Sequence, residues 1–205
     1  MNETKKLRVA LFFGGVSSEH EVSCVSASTW LRALAQAPCA DQYEVFPVGI
    51  TKQGSWLACS PTPEAMADGS WEKGADCTPC VLSPDRTDHG IWLLKDGEAE
   101  LVHIDICAPV MHGKNGEDGT IQGLFELARI PYVGCGVLGS AVCMDKAVAN
   151  TIMDAAGVPH CKWASAIRAE LEGDHKTLLD SIEQRLGYPI FVLSLIHISE
   201  PTRPY

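Results

Sequence analysis

A loop rich in glycine and in ionisable side chains lies near the middle of the chain. Residues 112–123 read His-Gly-Lys-Asn-Gly-Glu-Asp-Gly-Thr-Ile-Gln-Gly. Glycine lacks the Cβ atom that disfavours positive φ angles, so the backbone of such a loop can approach a ligand closely. The glycines expected to line a ligand are Gly113, Gly116 and Gly119. Beside them, His112 and Glu117 can donate, accept or carry charge. A solvated polar turn would have the same composition, so the loop alone assigns no function.

A second candidate group follows the first apolar run of the chain. Residues 14–19 read Gly-Gly-Val-Ser-Ser-Glu, which resembles half of a dinucleotide-binding fingerprint without its third glycine. The carboxylate of Glu19 stands where a pyrophosphate would lie. A helix N-terminus favours an ionised carboxylate, and that charge repels phosphate and attracts an ammonium group. Glu19 is therefore predicted to bind or orient an amine, the alternative being an ordinary acid in the first turn of a helix.

Lys146 is the third candidate, because it follows Met144 and Asp145 at the predicted start of a helix. The helix dipole opposes a cation at this end, and a bound anion such as a nucleotide phosphate would offset that cost. We interpret Lys146 as a candidate phosphate contact, with a simple surface lysine as the alternative.

The elements around these groups alternate between strand and helix patterns. Apolar runs at residues 8–13, 43–50 and 104–111 predict strands. A capping-box pattern at Ser18 and Glu21 predicts a helix that begins at Glu19. The alternation predicts a mainly parallel sheet with helices on both faces, in which ligands bind at the carboxyl ends of the strands.

Helical periodicity predicts which faces are buried. The predicted core face of the first helix consists of Val22, Val25, Ser26, Thr29, Trp30, Ala33 and Leu34. The helix after the glycine loop is predicted to bury Ile121, Leu124, Phe125 and Ala128, with Asp118 or Thr120 as its cap. Residues 91–102 predict a hairpin on an Asp-Gly turn. We interpret residues 60–88, which are rich in Pro, Gly and Asp, as a surface excursion.

The last third of the chain has a different pattern, and we predict a domain boundary near residues 140–146. Helices are predicted at residues 137–144, 146–156 and 174–186. Short strands are predicted at residues 130–133, 161–167 and 188–192.

The overall composition limits the classes of function. The chain has 205 residues, 46% hydrophobic and 20% charged, which is typical of a globular protein. A net charge of −10 with scattered basic residues disfavours nucleic acid and anionic membranes as partners. No apolar run is long enough to span a bilayer. Nine cysteines without a paired framework indicate a reducing cytoplasm, and Cys77-x-x-Cys80 lacks the second pair that a zinc site needs.

Together these motifs resemble the D-alanine–D-alanine ligases of the ATP-grasp class. The resemblance runs in order from about residue 8 to residue 192, and its motifs lie at residues 9–23, 112–123, 131–134, 143–146 and 188–192. It implies a Rossmann-like, pre-ATP-grasp, parallel-sheet α/β domain at residues 1–140. The beginning of an ATP-grasp domain would follow at residues 141–192.

The resemblance also implies an activity. A cytoplasmic enzyme of this family joins two D-alanines, with ATP and Mg²⁺, through an acyl phosphate for peptidoglycan synthesis, and a homodimer would form through the N-terminal domain. Glu19 would orient the first D-alanine through its ammonium group, and His112 would lie beside the reacting carboxyl and phosphate. Lys146 would contact the ATP phosphates. Gly113, Gly116, Glu117 and Gly119 would shape the substrate pocket.

The chain departs from the family after Val192. The family continues there with a lysine, a proline and a glycine- and serine-rich loop, whereas this chain continues with Leu193 and Ser194. We interpret residues 193–205 as a foreign tail and expect the Mg²⁺ ligands to be missing, so the chain alone is predicted to be inactive. A D-alanine–D-lactate type of ligase and a non-catalytic module that binds an amino acid or a nucleotide remain alternatives. An NAD oxidoreductase would need the missing third glycine.

Overall fold

The computed structural model describes residues 5–173 and 175–194. Within that part, one compact unit ends at Ser140 and a second begins at Ala141. The strands are β1 Leu7–Gly14, β2 Tyr43–Ile50, β3 Trp56–Ala58, β4 Thr78–Leu82, β5 Gly90–Lys95, β6 Glu98–His103 and β7 Ile106–Pro109. The α-helices are α1 His20–Leu34, α2 Cys39–Gln42, α3 Pro63–Ala67, α4 Thr120–Ala128, α5 Val137–Met144, α6 Lys146–Ala155, α7 Arg168–Glu172 and α8 His175–Leu186. A 3-10 helix spans Ser70–Lys73.

The strands of the first unit form one sheet in the order β6-β5-β4-β3-β2-β1-β7. Among the seven described strands, the parallel pairs are β1 with β2 and β1 with β7. The pairs from β2 through β6 are antiparallel. The α/β class is as predicted, but the expectation of a mainly parallel sheet was wrong. Short loops connect β2 to β3, β4 to β5 and β5 to β6, and antiparallel neighbours can be joined in this way. The longer segment between β3 and β4 contains α3 and the 3-10 helix, yet these two strands are also antiparallel.

The two faces of the sheet carry separate apolar clusters, each covered by a helix, as predicted. On one face Phe12 packs with Phe125 of α4. On the other face Leu11 and Phe13 pack with Cys24 and Ala27 of α1. Alternate residues of β1 therefore supply both clusters, because neighbouring side chains of a strand point to opposite faces.

The buried face of α1 differs from the prediction. The buried residues are His20, Ser23, Cys24, Ala27 and Ser28, whereas Val22, Val25 and Trp30 are 53%, 52% and 37% exposed. Apolar residues occur on both sides of this helix, so periodicity alone could not choose between them. Small side chains on the inner face let the helix lie close to the sheet. The helix starts at His20, one residue later than predicted, and its N-cap Glu19 makes no side-chain capping hydrogen bond.

Residues 60–88 are not a surface excursion, and that interpretation was wrong. This segment contains α3, the 3-10 helix and β4, and it buries Met66 and Trp71 in the core. The Trp71 ring lies 4.8 Å from that of Phe13 and occupies the space that a side chain at Gly49 would need. A single large aromatic residue thus anchors a segment whose composition is typical of a loop.

Several smaller predictions have mixed outcomes. The hairpin forms with positive φ at Asp96 and Gly97. Helix α4 buries three of the four predicted side chains, while Leu124 is only partly buried and the N-cap is Gly119. Residues 130–133 form only one isolated bridge, from Tyr132 to Cys107. Residues 161–167 and 188–192 form no strand.

The second unit, as far as it is described, consists of helices and irregular segments. Helices α6 and α8 form as predicted, and α7 was not predicted. Most of the tail, residues 195–205, lies outside the described residues. Across the described ranges, no helix is both long and apolar enough to cross a bilayer.

Candidate functional site

Two loops leave the sheet side by side at the carboxyl ends of β1 and β7. These strands are parallel neighbours, with Phe12 opposite Pro109. The turn that leads to Glu19 follows β1, and the loop that begins at His112 follows β7. Parallel pairing therefore brings together two groups that are more than ninety residues apart in the sequence.

One buried hydroxyl connects both strand ends to α1. Ser23 Oγ accepts a hydrogen bond from the Gly14 amide at 2.8 Å and donates to the Val110 carbonyl at 2.6 Å. His20, also buried, donates from Nδ1 to the Gly15 carbonyl at 2.8 Å, because a carbonyl oxygen can only accept. Neither residue was predicted to have a role, because both occupy ordinary helix positions in the sequence.

The Glu19 carboxylate lies against the backbone of Gly113. A Cβ atom at Gly113 would lie 2.5 Å from Glu19 Oε2 and 3.0 Å from Ser17 Oγ. The φ angle of Gly113 is +67°, which L side chains rarely adopt. Ser17 Oγ also accepts the amide hydrogen of Glu19 at 2.9 Å. The absence of a side chain at Gly113 is thus what allows the carboxylate to contact the second loop.

His112 is held by partners on both ring nitrogens. Nδ1 lies 3.4 Å from Glu117 Oε1, and Nε2 lies 3.0 Å from the Ser26 hydroxyl. Because an ionised carboxylate only accepts, Nδ1 carries the hydrogen that faces Glu117. The other Glu117 oxygen accepts from the Gly113 amide at 2.9 Å. Glu117 therefore orients His112. Ser26 was predicted to lie on the core face of α1 but instead contacts this histidine.

At two other glycines of the loop, close packing leaves no room for a side chain. A Cβ at Gly116 would lie 2.6 Å from Met111 Cβ, and one at Gly119 would lie 2.8 Å from the Val137 carbonyl oxygen. The buried Gln122 donates to the Gly116 carbonyl at 2.8 Å. Gly116 and Gly119 thus satisfy close packing within their own unit, whereas Gly113 faces Glu19.

The loop is further fixed by Asp118. Burial acts to raise the pKa of this carboxyl, but hydrogen bonds from the amides of Asn115 and Thr120 outweigh it and leave the pKa below its usual value. An ionised Asp118 therefore closes the turn before α4. The Asn115 φ of +68° shows how tight this turn is.

Lys146 belongs to the second unit and is the first residue of α6. Asp145 caps this helix by accepting hydrogen bonds from the amides of Ala147 and Val148, at 2.9 and 3.0 Å. The Asp145 carboxylate thus already accepts from amides that a bound anion at this helix start would otherwise use. An anion at this position would meet the lysine side chain and not these helix amides.

A cleft of about 240 Å³ opens beside the two loops. Most of its lining is apolar: Gly15, Val16, Ile50, Gly54, Trp56, Met111, Asn115, Thr120, Ile121 and Leu124. Neither Glu19 nor His112 lines it. These two ionisable side chains therefore lie outside this cleft.

The chain is similar to known ligases over nearly its whole length. The model of the D-Ala–D-Ala ligase N-terminus matches residues 8–135. The D-alanine–D-alanine ligase of Caldicellulosiruptor bescii is 45% identical over 187 residues, which cover 91% of this chain and 50% of the relative. The enzyme of Acetivibrio thermocellus is 44% identical and is covered to 52%. The chain thus spans about half the length of these relatives.

Solved structures agree with this similarity. The VanG D-Ala:D-Ser ligase from Enterococcus faecalis superposes with a TM-score of 0.78 at 34% identity, covering 94% of this chain and 53% of that chain. The D-alanine–D-alanine ligase from Coxiella burnetii gives 0.72 at 32% identity, with 88% and 50% covered. Since the family model matches more than half of its residues, the chain belongs to the D-alanine–D-alanine ligase family.

Proposed function

We propose that this chain is the substrate-binding half of an ATP-dependent ligase that joins two D-alanines through an acyl phosphate, for peptidoglycan synthesis in the cytoplasm. The contact of the Glu19 carboxylate with Gly113, beside His112, carries the proposal. A carboxylate held at that position can bind the ammonium group of an amino acid, because a charge-assisted hydrogen bond is roughly twice as strong as a neutral one.

The geometry of His112 supports a positioning role toward the substrate. Glu117 holds its Nδ1 hydrogen, and Ser26 contacts Nε2. A substrate carboxyl near Nε2 would replace or share the Ser26 hydroxyl as partner. Glu117 would then stabilise the positive charge that develops on the ring if Nε2 is protonated, as an orienting acid does beside a catalytic histidine.

Besides the amino acid, the proposed reaction needs ATP and Mg²⁺, and the described residues offer a candidate contact only for ATP. Lys146 is half-buried at the start of α6 and can offer its ammonium to a nucleotide phosphate. No group of three or more His, Cys, Asp or Glu side chains in the described ranges could hold a metal ion. The described residues therefore supply no complete metal-binding group, and the roles described above involve no metal.

The domain organisation follows from the same proposal. Residues 1–140 would bind the amino acid, residues 141–192 would begin the ATP-grasp domain, and residues 193–205 would be a foreign appendage. A homodimer through the first domain is part of the proposal as well. The second substrate would be D-alanine or a related acceptor, because one of the similar structures is that of a D-Ala:D-Ser ligase.

The function is tested by completing the chain. We define the chimera as residues 1–192 joined to the C-terminal half of the C. bescii ligase. The chimera is expected to release phosphate from ATP only when D-alanine is present, and to form the dipeptide. The 205-residue chain alone is expected to release none above background, because half of the relative's length has no counterpart in it.

The matched control is the C. bescii enzyme cut and rejoined at the same junction, which reports whether the junction is tolerated. A folded chimera that hydrolyses ATP without any dependence on D-alanine would contradict the assignment. Turnover by the 205-residue chain alone would contradict the prediction that this chain is inactive by itself.

Gly113→Ala is predicted to weaken D-alanine binding in the chimera. The new Cβ would displace the Glu19 carboxylate, and the loss of about 1.4 kcal/mol of an ionic contact would raise the KM for D-alanine roughly tenfold. The measurement is the dependence of phosphate release on D-alanine concentration.

Gly97→Ala is the control for backbone strain. Gly97 has a φ of +83°, and nothing lies within 4 Å of its Cβ position. Both substitutions strain a positive-φ residue, but only Gly113→Ala changes the contact with Glu19. Equal effects of the two on the KM would show that strain, and not the displaced carboxylate, is responsible.

A further inference from the structure

Two cysteines that are distant in the sequence lie opposite each other at the ends of β3 and β4. The antiparallel register pairs Leu57 with Pro79 and Ala58 with Thr78. The next pair in this register is Cys59 with Cys77. Both are free thiols in the structure.

The backbone of Cys59 faces away from β4. Its amide donates to the Pro47 carbonyl of β2 at 3.2 Å, and the Cys77 amide donates to Gly74. The two cysteines are therefore a non-hydrogen-bonded cross-strand pair, in which the Cα atoms approach to about 4.5 Å. That separation lies within the range that a disulfide bridges without backbone movement.

Both thiols also lie on the same face of the sheet. Cys59 is buried in the apolar cluster beneath α1, and Cys77 is half-buried against it. Each thiol is among the groups that shift the pKa of the other. The Cys77 thiol donates to the Trp71 carbonyl at 3.2 Å.

Cys80, the cysteine nearest to Cys77 in the sequence, lies on the opposite face of the sheet. Cys80 belongs to the opposite apolar cluster, with Phe12 and Leu82. Three residues along a strand reverse the side-chain direction, so the Cys-x-x-Cys spacing does not make a pair. The sequence motif therefore contains only one member of the pair that the fold creates.

We propose that Cys59 and Cys77 form an oxidisable dithiol that closes to a disulfide on reaction with a small-molecule disulfide such as glutathione disulfide. The proposal is independent of the ligase activity. It concerns a modification site in the first unit, and it requires only that the fold be intact.

The exchange balances as two steps. The Cys77 thiol loses its proton to water, and its thiolate attacks one sulfur of the small disulfide, which releases one small thiolate. The Cys59 thiolate, formed by loss of a second proton, then attacks the Cys77 sulfur and releases the other small thiolate. Both small thiolates take up the protons, so the protein dithiol is oxidised and the small disulfide is reduced.

The order of the steps follows from burial. Cys77 is more accessible than Cys59, so it reacts first. Burial raises the pKa of the Cys59 thiol to about 12 and also raises that of Cys77. Because the thiolate is the nucleophile, closure is slow at neutral pH.

The disulfide would constrain the segment between β3 and β4. The closed loop contains α3 and the 3-10 helix with Trp71. For loops of this length the entropic model predicts a rise of about 5–10 °C in the thermal midpoint of the unit. The hydrogen bond from Cys77 to the Trp71 carbonyl would be lost.

The test is to treat the reduced 205-residue chain with excess glutathione disulfide and to map disulfides by peptide mass spectrometry. The expected product is a peptide pair linked through Cys59 and Cys77, in the native chain and in Cys80→Ser alike. Unfolding in denaturant before oxidation should abolish this selectivity.

Variants at the pair make the outcome decisive. Cys59→Ser should trap glutathione on Cys77, because the resolving thiol is missing, and Cys59→Ala serves if serine disturbs the buried position. A Cys77–Cys80 link would overturn the proposal. So would a glutathione adduct on Cys77 that persists beside a reduced Cys59 in the folded native chain.

Discussion

Replacing Glu19 with glutamine is expected to raise the KM for D-alanine of the chimera by about 10- to 100-fold. Glutamine keeps the size of the side chain and its ability to accept a hydrogen bond, but it loses the negative charge. A hydrogen bond to a charged group contributes about 1.5–3 kcal/mol, and about 1.4 kcal/mol corresponds to a factor of ten. The measurement is D-alanine-dependent phosphate release over a range of D-alanine concentrations.

Glu21→Gln is the matched control for this substitution. Glu21 lies two residues further along the same helix start and forms an ion pair with Lys52 on the protein surface. The change of net charge and the change near the helix dipole are the same, but Glu21 does not contact the second loop. A comparable rise in KM for both variants would mean that general electrostatics, and not an ammonium contact at Glu19, governs substrate binding.

Truncating Trp71 is expected to have the largest effect on stability. Its side chain is 2% exposed and packs on Phe13 and against the backbone of Gly49. Replacement of a buried aromatic residue by alanine costs about 3–5 kcal/mol, out of a typical total of about 5–15 kcal/mol. Trp71→Ala should therefore lower the free energy of unfolding of the first unit by that amount. Urea unfolding and hydrogen exchange of the β1 amides would measure it.

Trp30→Ala is the corresponding control. This tryptophan lies on the outer face of α1 and is 37% exposed. Its removal should therefore lower the free energy of unfolding by well under half of the decrease expected for Trp71→Ala. If the two variants were equally destabilised, residues 60–88 would not contribute to the core in the way that the structure indicates.

The general class of the fold was predictable, because strand and helix signals in the first fifty residues are clear. In the antiparallel part of the sheet, the β5–β6 hairpin was predictable from its Asp-Gly turn, but β3 and β4 were not. β3 has only three residues, and β4 lies in a segment of loop-like composition, where one buried tryptophan determines the packing. No local pattern indicates that Trp71 fills the space above Gly49, because that contact depends on the tertiary structure.

The candidate site was predictable in part. Strand ends at Gly14 and Met111 made it reasonable to expect Glu19 and His112 near each other, and the structure brings their loops into contact at Gly113. The roles of these residues remain predictions. Ser26 was missed as a partner of His112, because the phase of α1 could not be chosen from its apolar residues alone. The relation of Lys146 to these groups is likewise a prediction.

The Ser23 hydroxyl has a consequence for how a substrate would be recognised. One oxygen atom bonds to the end of β1 and to the end of β7 from a helix that is itself packed on the sheet. The two loops are therefore ordered during folding, before any ligand arrives. A preorganised site loses little conformational entropy on binding, so even a ligand as small as a single amino acid can be held by few contacts. Selectivity for so small a molecule then depends on rigidity more than on contact area.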